Sequence, residues 1–105
     1  MIDEATINKA VDLLRQAAPG STIIVFGSCA RGQITEDSDL DVLVVEPMVT
    51  SRHNEIVRLS DVMRPLRIPV DVLVAGKETF EYWVDIPNTR YFEVAREGRA
   101  FHALA

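Results

Sequence analysis

The chain has a single cysteine, Cys29, among its 105 residues. That excludes an internal disulfide framework and leaves no set of thiolates for zinc. No apolar run approaches the ~20 residues that a membrane-spanning helix needs. The first residues, Met1-Ile2-Asp3-Glu4, have neither the basic flank nor the apolar stretch of a secretory leader. Basic residues are also short: 11 Lys and Arg stand against 16 Asp and Glu, for a formal net charge of -5. The electrostatic footprint of a nonspecific nucleic-acid binder is therefore missing. Together these absences point to a cytoplasmic protein with no membrane contact and no direct nucleic-acid binding. Neither G-x-x-x-x-G-K-[ST] nor G-x-G-x-x-G occurs, so P-loop and Rossmann readings fail. There is no repeat, low-complexity tract or linker, and residues 1–105 read as one domain.

The hydrophobic content of 48% is that of an ordinary globular chain, and its pattern divides into alternating helices and strands. Residues 4–18 read as an amphipathic helix, with Ile7, Val11, Leu14 and Ala18 on one face, Asp3 as N-cap and Pro19-Gly20 as the stop. Thr22 to Phe26 is short, apolar and β-branched, hence a buried strand. A helical turn over residues 28–32 and a polar loop from Gln33 to Ser38 follow. Leu40 to Val45 is a second strand, stopped by Glu46-Pro47, and residues 51–65 a second amphipathic helix. Val70 to Ala75 is a third strand. Residues 77–84 and 88–97 read as two short helices parted by Pro87, and Arg99 to Ala105 as a last short strand. The fold class is thus α/β (α+β): a small mixed β-sheet flanked by helices. The strand-helix-strand unit over residues 40–75 predicts that the second and third strands run parallel.

Three aspartates interrupt this apolar pattern. Asp39 and Asp41 sit at the head of the second strand, and Asp71 within the third. Carboxylates in Val/Leu runs are unfavourable unless their charge is compensated. Parallel strands gather all three at one end of the sheet. As i and i+2 residues of one strand, Asp39 and Asp41 would share a face, with Cα atoms ~6–7 Å apart. Exposed Asp at strand ends is common turn chemistry, but that account leaves Asp71 unexplained. Two Mg²⁺ ions, or Mn²⁺, are the compensation that such a set suits, clamping the oxygens of an in-line displacement. The EF-hand calcium spacing is absent. If the first strand runs antiparallel to the second, Gly27-Ser28 joins the aspartates. Gly27 would let backbone approach a phosphate, and Ser28 would offer a hydroxyl and an N–H at the start of a helical turn. Arg31 would add positive charge to a triphosphate. Alone, Gly27-Ser28 is no more than a tight turn; the downstream acids give it meaning.

Gly27-Ser28, ten residues, then Asp39-Leu40-Asp41 resembles the motif of the DNA polymerase β-like nucleotidyltransferases. The longer pattern, Gly27-Ser28-Cys29-Ala30-Arg31-Gly32 followed by Ser38-Asp39-Leu40-Asp41, resembles the minimal nucleotidyltransferase branch, and the likeness covers essentially the whole chain. The resemblance implies that fold and a set of roles. Asp39 and Asp41 would bind two metal ions, and Asp71 the catalytic one beside the acceptor hydroxyl. Gly27 and Ser28 would hold the β- and γ-phosphates of ATP, with Arg31 and Ser38 completing the nucleotide site. Larger relatives carry a second domain for the acceptor, which this chain lacks, so another chain is expected to supply it. The resemblance implies a HEPN-type RNase toxin as that partner, AMP transfer to a tyrosine of it, an antitoxin role and a hetero-oligomer. A nucleotidyltransferase subunit acting on a small molecule, and an antitoxin that neutralises by binding alone, are the alternatives.

Other residues carry less. Cys29 reads as a small buried side chain rather than a reactive thiol, and His53 and His102 as surface residues. Arg90, Arg96 and Arg99 read as solvated. Six of the seven aromatics follow residue 79: Phe80, Tyr82, Trp83, Tyr91, Phe92 and Phe101. Core packing of the last helices accounts for them, and an interface rich in Tyr and Trp is the sharper alternative.

Overall fold

The computed structural model describes residues 2–35 and 37–102. Helix α1 (Glu4–Ala17) starts as its cap predicts: the Asp3 carboxylate accepts the Thr6 N–H at 2.8 Å. Ile7, Ala10, Val11 and Leu14 form its buried stripe. Strand β1 (Thr22–Phe26) follows, then a 3₁₀ turn over Gly27–Cys29 and strand β2 (Leu40–Glu46). Helix α2 (Arg52–Met63) is capped by Ser51, whose hydroxyl accepts the Asn54 N–H at 3.3 Å. It ends two residues earlier than the periodicity suggests. Arg64 to Leu66 tighten into a 3₁₀ turn, because Pro65 cannot donate to an α-helical ladder. Strand β3 (Val70–Gly76) runs directly into helix α3 (Lys77–Trp83), and helix α4 (Arg90–Glu97) precedes the short strand β4 (Arg99–Phe101). Thr89 fixes where α4 begins: its hydroxyl accepts the Phe92 N–H and so caps the helix. Of the expected last strand over 99–105, residues 103–105 lie outside the described residues.

The sheet order is β3-β2-β1-β4. β1 is antiparallel to both β2 and β4, and β2 is parallel to β3. The mixed sheet inferred from the apolar runs is the one observed. Strand alternation splits the core in two. Ile23, Val25, Leu40, Val42, Val44, Val72 and Val74 face the layer formed by α1 and α2. Most of these are fully buried, each worth about 1.5–3 kcal/mol of transfer free energy. Ile24, Leu43, Val45 and Ala75 face a thinner layer with Val94, Phe80 and Tyr91 of α3 and α4. Asp41 and Asp71 share strand parity with that second set, so they lie on the thinly covered face.

At the far end of β2, Glu46 is buried against Glu55 of α2. Burial, then a hydrogen bond to Glu55 and its charge, push the Glu46 carboxyl up to about 7. Glu55 is held down to about 2, first by Arg58 and then by Glu46. The Arg58 fork bonds the Glu55 carboxylate at 2.6 and 2.8 Å and the Ala17 carbonyl at 2.8 Å, tying α2 to the end of α1. The pair therefore holds one proton that the unfolded chain releases near 4.5. The stability due to Glu46 is complete below that value and is lost as pH rises toward 7. The stability due to Glu55 is lost in the opposite direction, as pH falls from 4.5 toward 2. Glu46→Gln keeps a donor for Glu55 without a titrating group. Thermal melts should show it more stable than wild type at pH 8, with the two curves converging near pH 5.

Candidate active site

The end of β1 and the starts of β2 and β3 meet at one edge of the sheet. The register pairs Phe26 with Asp41 across the antiparallel ladder, and Asp41 with Asp71 across the parallel one. Gly27, immediately after Phe26, is therefore set against Asp41. Its φ of 72° is left-handed, and a Cβ built there would collide with the Asp41 carboxylate. Two requirements fall on this one residue: a backbone shape that L side chains resist, and contact too close for any side chain. The turn then tightens. The Gly27 carbonyl accepts the N–H groups of Ala30 and Arg31, both at 3.2 Å, and the Ser28 carbonyl accepts that of Gln33 at 3.0 Å. Cys29 is buried, and its thiol donates to the Asp39 carbonyl at 3.4 Å, pinning the turn to the head of β2. Burial, then the charges of Asp41 and Asp39, push the thiol pKa up. Cys29 is a neutral structural group, in line with its sequence reading.

The three aspartates differ in setting. Asp41 is half-buried, whereas Asp39 and Asp71 are exposed. Desolvation, then the charges of Asp71 and Asp39, raise the Asp41 pKa; Arg90 and Arg31 act the other way. Asp71 weighs more than Asp39 because it stands directly across the ladder. β2 begins at Leu40, so Asp39 lies just outside it, and the side-by-side projection expected from strand geometry does not strictly govern it. Among the described residues, no three carboxylate, imidazole or thiol groups converge into a ready-made ion cage. A magnesium-type site does not need one, since that ion binds through one or two carboxylates plus water and substrate phosphates. The donors fit in kind: hard oxygens from neighbouring strands, with a mutual repulsion that a cation would relieve.

Arg31 is exposed at the mouth of the site. Its guanidinium donates to Glu97 of α4 at 3.2 Å and to Gln33 at 3.3 Å, leaving further N–H groups for a ligand. Ser38 shapes the loop before β2, its hydroxyl accepting the Thr35 N–H at 2.8 Å. Arg90, at the first turn of α4, is exposed, as its sequence reading has it, and its charge lowers the Asp41 pKa. No local pattern marks it; only the packing of α4 brings it there. An apolar cavity of about 370 Å³ lies elsewhere on the same face, over Ile24, Val45 and Phe80. It is a gap between α3 and α4 rather than part of this edge. His53 and His102 are exposed and away from the carboxylates.

The model of the nucleotidyltransferase domain family matches residues 7–98. A curated protein of Methanocaldococcus jannaschii, named "Putative protein adenylyltransferase", is 45% identical over 47 residues. That stretch is 43% of this chain and 47% of the relative, so the match spans about half the length of the curated protein. Among solved structures, a "toxin-antitoxin with AMP-PNP" superposes with a TM-score of 0.65 at 20% identity, over 98% of this chain and 75% of that one. A "putative minimal nucleotidyltransferase" superposes with a TM-score of 0.62 at 26% identity, over 91% and 92%. The polymerase β-like nucleotidyltransferase fold expected from the motif is the fold found.

Two substitutions test the geometry of this edge. Gly27→Ala should destabilise the chain by about 1–2 kcal/mol through the left-handed backbone alone, with a further loss from displacing Asp41, read by denaturant unfolding. Asp41→Asn removes a desolvated charge that its neighbours repel, so its melting temperature in metal-free buffer at pH 7 should exceed that of wild type.

Proposed function

The chain belongs to the nucleotidyltransferase domain family, and on that premise we propose that it transfers AMP from ATP to a hydroxyl of a partner protein. The acceptor is a tyrosine of a HEPN-type RNase toxin, and the chain is the antitoxin. One observation carries the transfer chemistry: the Gly27-Ser28 turn is held, through the Cβ-free Gly27, against a carboxylate that itself faces a second carboxylate across a parallel ladder. Phosphate and cation sites are thereby a single place. The name of the M. jannaschii relative supports a protein acceptor. The toxin-antitoxin structure with its ATP analogue supports both ATP and a toxin partner.

In this reading Gly27 and Ser28 present backbone N–H groups and a hydroxyl to the β- and γ-phosphates, and Arg31 adds charge from the mouth. Ser38 holds the loop that delivers Asp39. Asp39 and Asp41 would hold two Mg²⁺ ions and Asp71 the one nearer the acceptor. Bound there, the ions supply charge neutralisation of the triphosphate and a lowered pKa for the acceptor hydroxyl. The acceptor oxygen forms a bond to the α-phosphorus, and the bond from that phosphorus to the β-bridging oxygen breaks. Pyrophosphate leaves, and the hydroxyl proton passes toward Asp71. The exposure of Asp71 suits this step, since the acceptor must reach it from outside the chain.

Isothermal calorimetry with ATP tests the cation requirement. Binding should be strong with Mg²⁺ and largely lost in EDTA, and equal affinity in both would overturn the reading. Asp39→Asn and Asp41→Asn should each abolish AMP transfer, measured as the intact mass of a co-expressed toxin. Asp71→Asn should slow transfer more than it weakens ATP binding.

A further inference from the structure

We propose that the outward face of α3 and the turn after it, formed by Tyr82, Trp83 and Ile86, is the surface on which the acceptor protein docks, through a basic segment that carries the acceptor hydroxyl. The proposal rests on the reading that the acceptor is a protein. The late aromatics divide sharply. Phe80 and Tyr91 turn inward and pack edge to face, 5.8 Å apart, on the thin side of the sheet. Tyr82 and Trp83 turn outward, 66% and 41% exposed, with Ile86 at 36% beside them. Core packing thus accounts for the first pair and leaves the second unexplained. Tyr82 and Trp83 stand edge to face at 4.9 Å, which makes one continuous apolar ledge.

The ledge is built rather than loose. The Thr89 hydroxyl donates to the carbonyls of Trp83 at 3.0 Å and Ile86 at 2.7 Å, closing the turn that carries it. A preformed aromatic surface loses little freedom on binding, and Tyr and Trp are the residues that dominate protein interfaces. The same turn leads into Arg90 at the start of α4, whose charge lowers the Asp41 pKa.

Charge selects the occupant. Glu78, Glu81 and Asp85 are exposed on residues 77–86 against one cation there, Lys77, within a chain of net charge -5. A basic segment meets these charges, and its Lys or Arg side chains find the aromatic faces by cation–π attraction. A second copy would set one acidic patch against its twin in a two-fold contact, which is repulsive.

Trp83 is the only tryptophan, so its fluorescence reports this surface directly. The probes are two synthetic peptides, each with one central tyrosine and flanking leucines, one spaced with lysines and the other with glutamates. The lysine peptide should change Trp83 emission saturably, in a manner weakened by salt, and the glutamate peptide should not. Tyr82→Ala should weaken the lysine peptide about five-fold or more, and Glu78→Lys with Asp85→Lys should reverse the preference. An equal response to both peptides would overturn the proposal. So would the same response to ATP alone, or a dimer in sedimentation that Tyr82→Ala dissolves. AMP incorporation is followed by mass in the same samples with ATP and Mg²⁺. Peptide binding with no incorporation would count against transfer to protein while leaving the docking surface standing.

Discussion

The approach of Gly27 to Asp41 is the contact on which the site depends. β1 runs out of residues at Phe26, opposite Asp41, and the chain must turn there within a space that the carboxylate already occupies. Only a residue without Cβ fits, and only one tolerant of a left-handed φ can make the turn. Every later feature inherits that geometry. The 3₁₀ turn of Gly27–Cys29, the thiol bond from Cys29 to Asp39 and the position of Arg31 all follow from where Gly27 sends the chain. A left-handed turn and a half-buried carboxylate become neighbours because one ladder ends where the other's acid begins.

Two faces of one sheet divide the labour of stability and chemistry. The face toward α1 and α2 is continuously apolar, and its residues on three strands are almost wholly buried. It carries the folding free energy. The other face has a smaller cluster, an open gap beside Phe80, and at its end two carboxylates set across from one another. Like charges at that spacing oppose folding, and the deep core on the reverse side offsets them. A chain of this size tolerates the repulsion only because β2 takes part in both faces at once: Val42 and Val44 look one way while Asp41 looks the other.

Much of this was legible before any coordinates. The apolar runs located the three main strands, and the intervening helix required β2 and β3 to be parallel, which gathers the aspartates at one end of the sheet; the direct pairing of Asp41 with Asp71 is visible only in the ladder. Where local chemistry sets an element's edge, the reading was also good: Asp3 and Pro19-Gly20 bounded α1. It was weaker where tertiary contact decides. Asp39 was read as a strand residue but lies just outside β2. Glu46 was read as a stop, yet it is the buried end of β2, its carboxyl pKa raised by burial and by Glu55 nine residues on. Arg90 is exposed, as its sequence reading has it, and its influence on Asp41 is a tertiary effect that no local pattern marks. Among the aromatics, periodicity could not separate Phe80 from Tyr82 and Trp83, since a seven-residue helix is too short for its buried stripe to be read from sequence.

The apolar gap and the acidic edge make different demands, and that difference bears on what the edge is for. A small-molecule site is normally concave and mostly apolar, enclosing its ligand. The cavity over Ile24 and Val45 has that character but lacks the carboxylates. The edge has the carboxylates and is shallow, with Asp39, Asp71 and Arg31 all exposed. A shallow charged edge cannot select a small acceptor by enclosure, so the contacts that orient the acceptor must come from a surface beside it. The ledge of Tyr82 and Trp83, on the turn that Thr89 closes, is the surface proposed for that role. On that proposal, chemistry at the edge and recognition at the ledge are separate. That arrangement favours an acceptor large enough to span both.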